Sequence, residues 1–265
     1  MVRPVTLCAA LVFLVIIVFW AGCTSPAPAG EQSGALNPPA EPVNSVRVSQ
    51  TPVHAVSPGV TEQLALVNSS SSVWREAYRI FSNMKSTEYV HTTYVNESKG
   101  IYRFDCLGFV DYVLQQGAPE AFKSAGHGYE RPELAVYGRY FRNLGPTPNP
   151  EGWSRVARPV DLKPGDICLW QKITPDSVGH MWIIAGTPYV NPARTDEVLV
   201  RIFDSDGVHA DDSRAAKSYK YGLGSGILGM LVDAGGNPVG LNWQGGNMSS
   251  PGTMDPTIVC ARYNK

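Results

Sequence analysis

A thiol, an imidazole and a carboxylate can act together as a nucleophile, its base and the group that orients the base. In this 265-residue chain the three stand at Cys106, His180 and Asp204. Cys106 lies in YRFDCLGFVDYVL, residues 102–114, between Asp105 and an almost wholly apolar run. An Asp at a helix start accepts from the exposed backbone N–H groups. The thiol after it then sits at the positive end of the helix dipole, which favours the attacking thiolate. A buried core thiol is the ordinary reading of any cysteine. Cys168 and Cys260 fall in strand-like runs, where they either pair or remain inert.

Of the five histidines, His54 lies in a Pro-rich stretch, His91 and His127 in loop-like text, and His209 in a polar turn. His180 opens the run HMWIIAG directly after Gly179, so it is fixed by a strand yet accessible at its mouth. HMWIIAG (residues 180–186) and VLVRIFD (residues 198–204) match in length. If they pair as a hairpin with Gly186 facing Val198, His180 faces Asp204, with Cβ atoms about 4.5–5.5 Å apart. Alternation then sends Ser205 to the other face, and a slip of one residue would exchange the two.

The elements that must position these groups are legible in outline. VWREAYRIFSNMK spaces Trp74, Ala77, Tyr78, Phe81 and Met84 as one helix face. CLGFVDYVLQQ is apolar on most sides and stops at Gly117, as a largely buried helix would. RPELAVYGRYFRNL is a further helical stretch. GDICLW, HMWIIAG, EVLVRIFD and TIVCARY are β-rich, and GILGMLVDAGGNPVGLNW reads as a hairpin around Gly235, Gly236 and Asn237. Helices first and an antiparallel sheet after them give an α+β class.

These motifs resemble those of the NlpC-type papain-like cysteine peptidases. FDCLGFVDYVL is similar to that family's D-C-S-G-F/L-V segment, LKPGDICLWQ to its P-G-D-L strand, GHMWIIAG to its H-V-G-I-Y-x-G strand, and RIFDS to the strand bearing its third polar residue. The match runs in family order over residues 94–205. Leu107 replaces the usual serine, and Asp204 stands where the family has histidine, asparagine or glutamine. The resemblance implies a papain-like fold, with Cys106, His180 and Asp204 as nucleophile, base and orienter and cell-wall peptides as substrate. It also implies a tyrosine lining the substrate site. Tyr94 matches by spacing, with Tyr89 and Tyr102 as competitors, and Asp105 and His209 are further candidates to line the cleft.

The N-terminus reads as export machinery. Arg3 precedes an uncharged apolar run over residues 4–22 that ends in WAGC. This resembles a lipobox with Cys23 as the lipidated residue, although Trp20 departs from its aliphatic pattern. The run is also long enough for an uncleaved anchor. Residues 24–72 hold seven of the 21 prolines and no aromatic residue, the composition of a tether. Residues 73–265 then form one domain, held at a membrane outside the cytoplasm. Asn68, Asn96 and Asn247 each open an N-x-Ser sequon.

Several functions are disfavoured. A net charge of −1 without a basic stripe gives no case for nucleic acid. GSGILG, residues 224–229, matches a dinucleotide fingerprint, but strand text follows where a helix is required. DSDGVHADD gathers Asp204, Asp206, His209, Asp211 and Asp212, yet Val208 occupies a ligand position of the Ca²⁺ loop pattern, which leaves a solvated acidic turn as the expectation. No cofactor or metal is expected, and the chain is expected to be monomeric. Two alternatives stand beside a wall-peptide hydrolase: an amidase or acyltransferase using the same thiol, and a surface lipoprotein that binds wall or glycan without catalysis.

Overall fold

The computed structural model describes residues 69–172, 179–218, 220–246, 253–254 and 257–265. The expected export signal, Cys23 and most of the expected tether lie outside the described residues, as do Asn68 and Asn247. Among the described residues, no helix is long and apolar enough to cross a membrane.

Among the described residues the architecture is mixed α+β, with four α-helices and a large antiparallel sheet. Helix α1 (Ser72–Asn83) starts at Ser71, whose side chain accepts from the Trp74 N–H. Its apolar face buries Val73, Trp74, Ala77 and Ile80. The Trp74 indole N–H donates to the Ala185 carbonyl at 2.9 Å, which ties the helix to the sheet. Three short strands follow: β1 (Ser86–Tyr89), β2 (Tyr94–Asn96) and β3 (Ile101–Phe104). They form a small sheet in the order β1-β3-β2, with β1 parallel to β3. Helix α2 (Cys106–Gly117) leaves directly from the end of β3 and buries Phe109, Val110, Val113 and Leu114. Helices α3 (Pro119–Ala125) and α4 (Leu134–Arg142) complete the helical layer.

The large sheet comprises β4 (Trp153–Val156), β5 (Ile167–Gln171), β6 (Gly179–Ile184), β7 (Tyr189–Val190), β8 (Glu197–Asp206), β9 (Gly222–Val232), β10 (Pro238–Asn242), β11 (Thr253–Met254) and β12 (Thr257–Tyr263). Its order is β11-β10-β9-β8-β6-β5-β12-β4, with β7 also on β8. Side-chain alternation divides most of the core between two main clusters, with a small third one at Leu199, Ala210 and Ile227. Met181, Ile183, Phe203 and Leu223 meet the helices, while Trp182, Ile184, Ile202, Leu228 and Met230 form the other main cluster. Cys168 and Cys260 face each other on β5 and β12 and are joined by a disulfide.

One inferred register is corrected. β6 and β8 pair Ile183 with Phe203 and Ile184 with Ile202, two residues away from the hairpin alignment read from the sequence. Continued to the strand mouth, this register sets His180 across from Asp206 and makes Asp204 its diagonal neighbour. An even shift preserves the face on which each side chain projects, so His180 and Asp204 still share one.

Candidate functional site

Asp105 has extended backbone and caps α2, its Oδ1 accepting from the Gly108 N–H at 2.7 Å. Its Oδ2 lies 3.2 Å from Arg131 Nη2 and 3.2 Å from His91 Nδ1. Cys106 is therefore the first residue of a well-capped helix, buried, and the free cysteine among the described residues. His180 is the second residue of β6. Gly179 before it allows close packing, since a Cβ there would meet Leu134 Cδ2 at 2.3 Å and the Trp170 carbonyl at 2.5 Å.

His180 Nε2 is 3.0 Å from Asp204 Oδ2. That leaves Nδ1 unengaged by Asp204, and the Cys106 sulfur is near enough to the ring to raise the imidazole. Nδ1 lies 3.6 Å from Asp206 Oδ2, which completes a fork of two carboxylates around the ring. Burial opposes a charge on His180, but the Asp204 hydrogen bond and then the Cys106 sulfur outweigh it and raise the imidazole to about 10.

Asp204 is itself the centre of a larger buried cluster. Its Oδ2 is also 2.8 Å from His209 Nε2, and its Oδ1 accepts from Arg214 Nη2 at 2.9 Å. Burial alone would raise this carboxyl. The His209 and Arg214 charges, with hydrogen bonds from both imidazoles, hold it well below the usual carboxylate range. Arg214 has no exposed surface and also donates to Asp212 Oδ1 and Oδ2 and to the Asp206 and Gly222 carbonyls. Asp212 Oδ2 in turn accepts from the His209 N–H at 2.9 Å. The segment expected to be a solvated acidic turn is thus largely buried at Asp204, His209, Asp212 and Arg214, because each charge there has a partner of opposite sign. Asp206 and Asp211 keep side-chain exposures of 37% and 39%.

Strand β9 makes room for this cluster. A Cβ on Gly224 would lie 2.4 Å from Arg214 Nε, one on Gly226 2.5 Å from Asp212 Oδ2, and one on Gly229 2.0 Å from Glu197 Oε1. The G-x-G-x-x-G text is a strand whose missing side chains leave space for buried polar groups.

The candidate tyrosines sit differently. Tyr94 is 50% exposed on β2, with the Arg103 guanidinium 5.7 Å from its ring centre. Tyr89 pairs with Phe104, two residues before Cys106. Burial, followed by the charge of Cys106, pushes its phenol up. Spacing along the chain points to Tyr94, while the parallel β1–β3 pairing sets its competitor Tyr89 beside the end of β3. Arg214 and Trp243 were also missed. The Trp243 ring lies edge-on to His180 at 5.4 Å and stacks on His209 at 5.8 Å.

Ser205, expected on the opposite face, is there, and its Oγ donates to the Phe104 carbonyl at 2.9 Å. It anchors the end of β3 just before Asp105 and Cys106.

His180, Asp204 and Asp206 place ligand atoms within 4.8 Å of one another, a spacing a metal ion could use. Asp204 is already engaged by Arg214 and both imidazoles, so a cation there would compete with fixed positive charge. The cavities of about 490 and 640 Å³ beside α3 and α4 are lined by none of these site residues. Comparison with family models, curated proteins and solved structures finds no match for this chain.

Proposed function

We propose that the protein is a papain-like cysteine hydrolase of amide bonds, acting outside the cytoplasm on cell-wall or related peptides. The observation that carries the reading is His180, with Asp204 at 3.0 Å from its Nε2 and the Cys106 sulfur close enough to raise the imidazole. His180 Nδ1 takes the thiol proton, and the Cys106 sulfur attacks the amide carbonyl carbon. The negative oxygen of the tetrahedral intermediate is met by the Cys106 backbone N–H, a free donor of the first helical turn. Collapse breaks the C–N bond, the imidazolium gives its proton to the leaving amine, and a thioester remains. A water then loses a proton to His180, attacks the thioester and releases a carboxylic acid, returning the thiol. Asp204 accepts from Nε2–H throughout, which keeps Nδ1 facing the sulfur and stabilises the imidazolium.

The Cys168–Cys260 disulfide supports an oxidising compartment, and the N-terminal sequence supports attachment at a membrane through Cys23 or an anchor. The wall-peptide substrate rests on the resemblance of the motifs.

The test is incubation of the full-length protein with wall peptides, read by mass spectrometry, with Cys106→Ala in parallel. Expected is a new amine and acid pair from the parent and none from the variant. Addition of a competing amine separates acyl transfer from hydrolysis by product mass. Equal cleavage by Cys106→Ala would overturn the assignment.

A further inference from the structure

We infer that His209 is a standing imidazolium and acts as the positioning residue for Asp204, an inference that rests on the Cys106–His180–Asp204 reading. His209 Nδ1 is 3.0 Å from the Trp243 carbonyl oxygen, and Nε2 is 2.8 Å from Asp204 Oδ2. Both neighbours are acceptors. A neutral imidazole has one N–H and one lone pair, so either tautomer would set a lone pair against an oxygen. A proton on each nitrogen turns both contacts into donated hydrogen bonds. Moving a proton to Asp204 instead would oppose Arg214, which donates to Oδ1 of the same carboxylate at 2.9 Å.

The charges around the ring agree. Asp204 faces it from β8, Asp212 accepts from its backbone N–H, and Arg214 stands behind both carboxylates. From β9, Gly226 presents no side chain against it, and from the turn after β10 Trp243 presents a carbonyl and a stacked ring. Two carboxylates and two cations therefore balance before His180 is counted. Burial opposes the charge on His209, and Asp204 outweighs it.

This balance bears on the reaction because Asp204 Oδ2 serves both imidazoles. A bare buried carboxylate would hold the His180 proton tightly. His209, sharing the same oxygen, draws off part of that pull. His180 must both accept the thiol proton and release it to the leaving amine, so its grip has to be moderate. Trp243 sets the geometry of both rings, its carbonyl fixing His209 and its ring edge meeting His180.

The experiment uses the full-length protein and two readouts that need no substrate. Ring ¹⁵N–¹H correlations at neutral pH should show His209 protonated on both nitrogens; a neutral tautomer would overturn the inference. The second readout is the rate of Cys106 alkylation by iodoacetamide against pH, with the adduct mapped. His209→Gln keeps an N–H for Asp204 but removes the charge, so the alkaline limb set by His180 should move up by about one pH unit. A limb that stays in place in folded His209→Gln would reduce His209 to a structural role and sink the proposal. Failure of wall-peptide cleavage by the parent would instead count against the hydrolase reading, and the ring spectrum would still decide the charge on His209.

Discussion

Asp204 and Ser205 are adjacent in sequence but make different contacts, and single substitutions should separate them. Asp204→Ala strips a buried carboxylate from Arg214, His180 and His209; Arg214 keeps Asp212, but the two buried imidazoles lose their shared acceptor. That should cost about 3–5 kcal/mol of stability as well as activity. Asp204→Asn keeps a carbonyl acceptor and should lose less of both. Ser205→Ala deletes one hydrogen bond to the Phe104 carbonyl and should cost about 1 kcal/mol. Its effect on kcat/KM should nevertheless exceed that of a distant surface change, because Phe104 leads into Asp105 and Cys106. Denaturant unfolding and kcat/KM on one wall peptide, measured for all three variants, check the ranking. If Ser205→Ala destabilises as much as Asp204→Ala, the account of the buried charge cluster is wrong.

Among the elements, β9 shows how a strand can be selected for what it lacks. Gly224→Ala places a methyl 2.4 Å from Arg214 Nε and 2.7 Å from its Cδ, and should destabilise by about 1–3 kcal/mol. Gly145, which has open space around its Cβ position, serves as the control, with Gly145→Ala expected within about 0.5 kcal/mol of the parent. Chemical unfolding of the two variants is the measurement, and equal stability would remove the packing argument. Helices α1, α2 and α4 and the hairpin of β9 and β10 were legible because their apolar spacing or turn residues are local signals. The small sheet was not. STEY, YVN and IYRF are too short to alternate convincingly, and the parallel pairing of β1 with β3 joins residues with no local pattern in common.

For the whole molecule, buried titratable groups bound the pH range of stability. His180 is raised to about 10 in the fold, so its stabilising contribution is complete below its unfolded value near 6.5 and is lost as pH rises toward 10. Asp204 is lowered, so its contribution is present above the ordinary carboxylate pKa and is lost as pH falls below it. Asp111, on the helix that begins at Cys106, works the other way. Burial raises it to about 7 despite the Tyr137 hydroxyl at 2.7 Å, so its cost to stability grows as pH rises from its unfolded value toward 7. Unfolding free energy measured from pH 6 to 10 should fall in the parent, and His180→Gln should flatten that fall. An unchanged slope in His180→Gln would show that the alkaline loss arises elsewhere.

The sequence alone placed Cys106 at a helix start, because Asp105 and the apolar run after it are local facts of capping and burial. It put His180 at a strand mouth and set it on the same face as Asp204, since that conclusion depends on alternation and survives a register shift of two. It left the pairing of Cys168 with Cys260 open, because cross-strand proximity is a property of two distant strands. Only the tertiary structure set Tyr89 beside Phe104 and turned the acidic segment inward around Arg214. Residue types show which charges a segment carries. Whether those charges are solvated or buried depends on whether partners of opposite sign come within hydrogen-bond reach. Here β8, β9 and the turn carrying Trp243 converge to supply them.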